Sequence, residues 1–200
     1  KLLHVYDMHS SLPHQLKSFQ AYDFGPFKSI FSYLECRVLE TADGIITICK
    51  ELDEISAEHR GSTPHSMIEN TGDDSTIFGR EISDLRAEYG LGDKKVILYT
   101  GTFEPYQGLD LLLAAFQRFL APESPAHLFL VGGNPDQIEH YKDMAQSLKL
   151  DGHVTFTGSV HPTRIPSFLQ VADLIVSPRS KGEYTPLKIY NDMRSKRPIL

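Results

Sequence analysis

The amino-acid sequence predicts an α/β protein with mostly parallel sheets, and two observations lead to this prediction. From residue 95 onward, short apolar segments typical of buried strands alternate with amphipathic segments long enough for helices. Most apolar segments are followed by a turn or loop that contains glycine or proline. Because strands separated by helices pair through right-handed crossovers, this alternation favours a parallel sheet with helices packed on its faces.

The first 70 residues show the same alternation in a shorter form. Three runs rich in apolar or β-branched side chains are predicted as strands, at residues 2–7, 45–49 and 67–69. A charged segment, residues 50–60, is predicted as an exposed helix. Another helix is predicted before it, with an apolar face that packs on the core. That face consists of Phe27, Ile30, Phe31, Leu34 and Val38.

The elements after residue 95 follow from their apolar patterns and their boundary residues. Short apolar runs predict strands, and apolar residues repeated at helical spacing predict helices. Pro198 ends the last of these helices. The predicted strands are residues 95–100, 127–131, 153–157 and 173–176, and the predicted helices are residues 109–120, 135–150, 165–171 and 185–197.

Composition limits the partners and the compartment of the protein. The chain has 200 residues, a net charge of −6 and scattered basic residues, which argues against nucleic-acid binding. Cys36 and Cys49 are isolated thiols, as expected in a reducing cytosol. No apolar run reaches the length of a membrane span, and no signal peptide is apparent. Residues 1–6 begin within one predicted strand and residues 198–200 end within another, so we expect an internal part of a longer protein.

The strongest chemical signal follows the predicted strand at residues 173–176. Arg179, Gly182 and Glu183 lie in the loop after it, and Lys188 lies in the first turn of the next helix. Ligands of open α/β sheets bind at the carboxyl ends of strands, where helix N-termini favour anions. Glycine allows close approach, the cations suit phosphate, and the carboxylate suits sugar hydroxyls. This combination predicts a nucleotide-sugar site.

The same segment resembles the donor-binding element of GT4-type retaining glycosyltransferases with the GT-B fold. That family carries two glutamates eight positions apart, and here Glu183 and Asn191 occupy the two positions. The run 185–190, Thr-Pro-Leu-Lys-Ile-Tyr, is similar to a common variant of the family motif, and residues 196–200 match the strand that follows. The resemblance implies two Rossmann-like domains, both incomplete in this chain. They are residues 1–70, the acceptor domain, and residues 71–200, the donor domain.

The resemblance also implies the roles of individual residues. His9, Glu183 and Lys188 are implied as catalytic residues, with His9 lining the sugar pocket and Glu183 binding sugar hydroxyls. Thr102 and Gln107 stand where many members carry an arginine and a lysine, so backbone N–H groups are expected to help bind the diphosphate. Asn191 would bind the ribose. The implied donor-binding residues are Gly101, Thr102, Phe103, Gly133, Arg179, Thr185, Pro186, Leu187 and Asn191.

The implied activity is transfer of a hexose from a nucleotide-diphosphate sugar to a saccharide or lipid-linked acceptor, with retention of configuration. No cofactor and no metal are expected, and peripheral contact with the cytoplasmic face of a membrane is expected. Two alternatives remain: a nucleotide-sugar epimerase of the same architecture, and a catalytically silent binding or scaffold homologue. An NAD enzyme is disfavoured because the loop 101–108 lacks the G-x-G-x-x-G spacing.

Overall fold

The structure is a computed structural model, and its described residues form two compact units. One unit lies within residues 2–71, and the other within residues 84–179 and 188–200. Three predicted donor-site residues, Glu183, Thr185 and Leu187, lie outside the described residues, as does the side chain of Phe27. The structure describes residues 2–14, 25–71, 84–120, 126–179, 186 and 188–200, with side chains from residue 29 onward in the second range.

The first unit is a parallel sheet of three short strands with helices between them. In spatial order the strands are β1 (Val5–Met8), β2 (Gly44–Thr47) and β3 (His65–Met67). Helix α1 (Gly25–Thr41) connects β1 to β2, and α2 (Lys50–Ala57) connects β2 to β3. All five predicted elements are present, each with a shift of a few residues at its ends.

The packing of α1 differs from the prediction. Ile30 and Leu34 are each 51% exposed, whereas Leu39 is fully buried. The core cluster of this unit contains Leu39 and Ala42 from the end of α1 and its following turn, together with Met8 and Ile45 from the strands. Phe31 and Val38 of the predicted stripe are partly buried, and the side chain of Phe27 lies outside the described residues. The predicted packing is therefore wrong for Ile30 and Leu34.

The second unit is a four-stranded parallel sheet. Its strands lie in the order β6 (Val154–Gly158), β5 (Ala126–Val131), β4 (Lys95–Thr100) and β7 (Leu174–Ile175). A bridge between Ile175 and Ile199 extends the sheet beyond β7. The connecting helices are α3 (Leu85–Glu88), α4 (Leu109–Phe119), α5 (Pro135–Ser147), α6 (Ile165–Val171) and α7 (Lys188–Arg194), with single 3₁₀ turns at Pro105–Gln107 and Pro162–Arg164.

Two core clusters lie on opposite faces of this sheet. On one face, Leu113 and Phe116 of α4 pack with Tyr141 of α5. On the other face, Phe168 and Leu169 of α6 pack with residues of α3 and of the strands. The strand order runs from β4 to β5 and β6 on one side and returns to β7 on the other. It therefore reverses next to β4, and the carboxyl ends at such a reversal form the usual ligand crevice.

Asp173 joins β7 to the centre of this sheet. Its Oδ2 atom accepts a hydrogen bond from the Val96 backbone N–H at 2.9 Å, across 77 residues of sequence. Its Oδ1 atom lies 3.1 Å from Lys95 Nζ, and Arg86 Nη2 lies 3.4 Å from Oδ2. The backbone hydrogen bond and these cations hold the pKa of Asp173 below its usual value, against the opposing effect of burial. The carboxylate thus fixes where β7 begins.

Lys149, just after the end of α5, has a left-handed backbone conformation with a φ of +56°. Glycine adopts this conformation more easily than lysine, so the position allows a prediction about stability. The Leu150 N–H donates to Ala145 O at 3.0 Å, and the Lys149 N–H donates to Gln146 O at 2.9 Å, a glycine-type helix end. The left-handed conformation costs a residue with a Cβ about 1–2 kcal/mol, and glycine loses about 0.5–1 kcal/mol more chain entropy on folding. We expect Lys149→Gly to raise the free energy of unfolding by roughly 0.5–1 kcal/mol in a urea titration.

The matched control is Lys142→Gly, inside α5 and equally exposed. There glycine replaces a good helix former in right-handed conformation and should lower the free energy of unfolding by about 0.5–1 kcal/mol. A loss of stability in both variants would contradict the proposed left-handed helix end.

Candidate donor-binding site

The carboxyl ends of β4 and β5 meet through backbone atoms. The Gly101 N–H donates to Val131 O at 3.0 Å, and the Gly132 N–H donates to Gly158 O at 2.9 Å. Gly132 has a φ of +126°, and a Cβ atom at this position would overlap the carbonyl oxygen of Gly101. Only glycine permits this approach. The loops after β4 and β5 therefore begin at glycines, whose backbones approach each other with no side chain between them.

A cleft of about 470 Å³ opens at this edge. Glycine backbone forms part of its lining, and polar and apolar side chains form the rest. Asn134 caps α5 by accepting the Gln137 N–H at 2.9 Å, and the Gln137 amide donates to Glu104 Oε1 at 2.9 Å. These bonds tie the loop after β4 to the start of α5. The lining residues are Gly101, Thr102, Glu104, Val131, Gly132, Gly133, Asn134, Gln137, Ser159, Val160 and Ile165.

Lys188 of α7 reaches the end of β4. Its Nζ atom donates to Thr100 O at 3.0 Å and lies 4.0 Å from the centroid of the Tyr99 ring. The Tyr99 hydroxyl in turn donates to Thr102 O at 2.7 Å. Lys188 is only partly exposed, so it is not an ordinary solvated lysine in a first helical turn. The hydrogen bond and the cation–π contact hold its ammonium at the glycine-rich edge.

The charges around Lys188 are unusual because they are partly desolvated. The pKa of Lys188 is lowered to about 8, mainly by burial; Asp192 opposes this shift, and Arg179 contributes to it. Burial raises the pKa of Asp192 to about 6, and Lys188 opposes that shift. The Arg179 guanidinium lies 5.5 Å from the centroid of the Tyr106 ring. Two cations therefore lie near the ends of β4 and β7, where an anionic group would gain from both.

Asn191 is on the same helix as Lys188. Its Oδ1 atom is buried and has no hydrogen-bond partner among the described residues. A buried amide oxygen without a donor is costly, and a ligand hydroxyl would satisfy it. This agrees with a role in binding a ribose, which stays a prediction.

The comparison with known proteins decides the family. A model of the family described as "Glycosyl transferases group 1" matches residues 81–200. The chain belongs to this family. The predicted family resemblance is thereby confirmed, and the match includes the sheet, the cleft and α7.

Two relatives show how much of a longer protein the chain matches. It is 31% identical over 99 residues to a GDP-mannose-dependent alpha-(1-6)-phosphatidylinositol monomannoside mannosyltransferase of Mycolicibacterium smegmatis, covering 49% of the chain and 26% of the relative. It is 24% identical over 179 residues to an alpha-monoglucosyldiacylglycerol synthase of Streptococcus pneumoniae, covering 86% of the chain and 40% of the relative. The matched regions therefore span well under half of each relative.

Solved structures show that the fold is GT-B, as predicted. Sucrose-phosphate synthase from Thermosynechococcus elongatus aligns with a TM-score of 0.74 at 20% identity, covering 98% of the chain and 49% of that structure. Anabaena HepE in complex with UDP-glucose aligns with a TM-score of 0.73 at 19% identity, covering 98% of the chain and 52% of that structure. At these identities the likeness establishes the fold.

Several predicted site residues remain to be placed besides Lys188, Arg179 and Asn191. Gly101, Thr102 and Gly133 line the cleft. His9 belongs to the first unit, where it is exposed and its Nε2 atom lies 3.2 Å from Asp7 Oδ2. Glu183, Thr185 and Leu187 are outside the described residues, so their roles stay predictions, and Pro186 is described only as partly exposed.

The side chain of Phe103, a predicted donor-binding residue, lies in the core and is not part of the cleft lining. Its side chain is 1% exposed and packs in the core against Tyr99, Tyr141 and Phe156. The ring supports the cleft from beneath, where a Cβ atom on Gly133 would collide with it. Any donor contact by Phe103 would therefore use its backbone.

Sequence patterns missed Tyr99, Glu104, Gln137 and Asp192. Asn134 and Gln137 match a capping box, an asparagine followed three residues later by glutamine, which could have been found from the sequence. Tyr99 and Asp192 carry no comparable signal, since both look like ordinary core or helix residues. In the described ranges, no group of three or more histidine, cysteine, aspartate or glutamate side chains could hold a metal ion. No helix in those ranges has the length and apolar content needed to cross a membrane.

Proposed function

We propose that the protein transfers a hexose from a nucleotide-diphosphate sugar to an acceptor hydroxyl, with retention of the anomeric configuration. The observation that carries the proposal is the position of Lys188, whose ammonium lies 3.0 Å from Thr100 O beside the glycine-rich sheet edge. A fixed, partly desolvated cation at such an edge suits a diphosphate. Membership in the glycosyl transferases group 1 family supports the same activity.

In this proposal the chain's residues act mainly by electrostatics. Negative charge grows on the diphosphate as the bond to the sugar breaks, and preorganised cations and N–H groups stabilise such charge with little reorganisation. Lys188 and Arg179 supply the cations, and the loop after β4 supplies backbone N–H groups. Asn191 binds the ribose, Glu183 binds sugar hydroxyls and His9 lines the sugar pocket. The proposed chemistry uses neither a metal nor a cofactor.

The proposed acceptor is a saccharide or a lipid-linked molecule. Support comes from relatives whose names include a phosphatidylinositol mannoside and a glucosyldiacylglycerol. Such acceptors would bring the protein to the cytoplasmic face of a membrane, which is part of the proposal. None of the relatives named above is an epimerase, so that alternative is not carried further.

Calorimetry on the intact protein tests donor recognition. GDP and UDP are titrated separately in buffer that contains EDTA, and we expect at least one of them to bind. Transfer is then followed with the corresponding sugar nucleotide, and NMR of the anomeric proton in the product shows whether configuration is retained. Failure to bind either nucleotide would favour the catalytically silent homologue. That alternative is supported by Thr102 and Gln107, which are uncharged where many family members carry an arginine and a lysine. The Gln107 Nε2 atom lies 3.4 Å from Thr102 Oγ1.

Donor binding should depend on pH through Lys188. Its pKa is about 8 in the free protein, and a bound diphosphate, being anionic, should raise it. Affinity should therefore stay constant below that pKa and fall as pH rises through it, approaching about tenfold per pH unit while the bound form keeps its proton. Calorimetric titrations between about pH 7 and 9.5 measure this. A flat profile would contradict a role for the Lys188 charge.

A further inference from the structure

Asp192 is a buried carboxylate for which the proposed function has no direct use. It is 2% exposed, and it is the one acidic residue among the fully buried polar and charged residues of the described ranges. Burying a carboxylate is costly unless a counter-charge or hydrogen bonds compensate it. We therefore expect the Asp192 carboxylate to have a charged partner, and we expect each group to affect the ionisation of the other.

The partner is Lys188, one helical turn earlier. Residues four apart lie on the same face of a helix, so the two side chains of α7 are neighbours. Each is the main opposing charge of the other, because Lys188 favours the ionised form of Asp192 and Asp192 favours the protonated form of Lys188. Among the described residues, Lys188 is the charge that opposes the effect of burial on the pKa of Asp192.

The other titratable groups described near this pair either lower the pKa of Lys188 or are neutral at physiological pH. Arg179, from the loop after β7, disfavours the protonated lysine. Tyr99 of β4 faces Lys188 directly, and burial raises the pKa of its hydroxyl, so it stays neutral. Tyr106 and Tyr141 complete the titratable groups around Tyr99. Asp192 is therefore the one group of this described cluster that keeps Lys188 charged.

We propose that Asp192 is a positioning residue of the donor site: without touching the donor, it keeps the Lys188 ammonium charged and in place against the Thr100 carbonyl. The proposal rests on the proposed function, and it adds a residue that neither the sequence motif nor the cleft lining indicates. Because Asp192 is only 2% exposed, we expect its carboxylate to act on Lys188 through charge and not to contact the diphosphate. Lys188 thus enters the reaction already protonated at neutral pH.

The decisive experiment measures the protonation of Lys188 itself. In protein with ¹³C-labelled lysine, NMR of the Cε methylene group follows the titration of Lys188, assigned by its loss in Lys188→Met. We expect Asp192→Asn to lower the Lys188 midpoint by about one pH unit relative to the unchanged chain, since a nearby opposite charge is removed. Asp143→Asn, the same substitution at an exposed position of α5, should leave the midpoint unchanged.

Nucleotide binding supplies the second readout. In Asp192→Asn, the fall in affinity with pH should begin about one unit lower, while affinity near pH 6 stays within about twofold of the original value. An unchanged Lys188 midpoint together with a lower melting temperature would make Asp192 a purely structural residue and overturn the proposal. If no nucleotide binds, the proposed function fails, but the NMR titration still decides whether Asp192 controls Lys188.

A double variant covers the case in which Asp192→Asn fails to fold. If the carboxylate serves the lysine, then Lys188→Met should make the carboxylate dispensable, and the combination Lys188→Met with Asp192→Asn should fold. Failure of the double variant as well would place the role of Asp192 elsewhere in the core and overturn the proposal. Asp192→Glu, which keeps the charge, should keep the Lys188 midpoint closer to its original value than Asp192→Asn does.

Discussion

Gly132→Ala is expected to destabilise the protein and to abolish nucleotide binding. The new Cβ atom would overlap the carbonyl oxygen of Gly101, so the backbone of one of the two loops must move. The φ of +126° is also strained for any residue with a Cβ. Together these effects should lower the free energy of unfolding by roughly 3 kcal/mol or more. Denaturant unfolding and calorimetry with GDP and UDP measure the two consequences.

Gly152→Ala is the matched control for this substitution. Gly152 has a φ of +75°, but a Cβ atom there would meet no other atom within 4 Å. This variant should lose only about 1–2 kcal/mol from backbone strain and should bind nucleotide as the original protein does. If Gly132→Ala were no worse than Gly152→Ala, the close contact between the two strand ends would not matter, and the cleft would not depend on it.

Lys188→Met is expected to weaken nucleotide-diphosphate binding by roughly ten- to a hundredfold, because a charge-assisted contact is worth about 1.5–3 kcal/mol. Methionine keeps most of the apolar stem over Tyr99 and removes only the ammonium. Stability should change by less than about 1 kcal/mol. The lost hydrogen bond to Thr100 O and the lost cation–π contact are offset by removal of a partly desolvated charge. Donor affinity and melting temperature are measured together.

Lys196→Met, at an exposed position just beyond the end of α7, is the control for loss of a cation in the same region. It should change donor affinity by less than about twofold, since an exposed charge is screened by solvent. Equal losses in both variants would show that net charge alone attracts the nucleotide. Unchanged affinity in Lys188→Met would remove the main residue-level support for the donor site.

The fold was predictable where one physical signal dominates. The strand at 95–100 and the helix at 165–171 have the predicted bounds, because buried parallel strands are continuously apolar and prolines mark the helix start. The stripe containing Ile30 and Leu34 was misleading, because helical spacing shows that a face is apolar but not what covers it. The same limit explains why α3, only four residues long, was missed.

The site was predictable at the level of glycines and motif residues. Gly101, Gly133 and Lys188 are recognisable because backbone approach and phosphate binding restrict the residue type. The state of Lys188 was not predictable, since its burial depends on Tyr99, 89 positions earlier in the sequence and adjacent only after folding. Asp192 was missed for the same reason. From sequence alone, an aspartate on a short helix is predicted to be exposed to solvent, and only the tertiary structure shows that Asp192 is buried.

The hydrogen bond between Asp173 and Val96 has a consequence for the order of folding. Strands β4, β5 and β6 pair with neighbours along the chain, whereas β7 must return across 77 residues to reach β4. Closing a loop of this length carries an entropic cost that local pairings avoid, so β7 is expected to join the sheet late. Lys188 follows β7 in the chain, whereas its partners Thr100 and Tyr99 lie on β4. The two halves of the site therefore meet only at the last stage of folding, and a nucleotide can select only chains that have completed it.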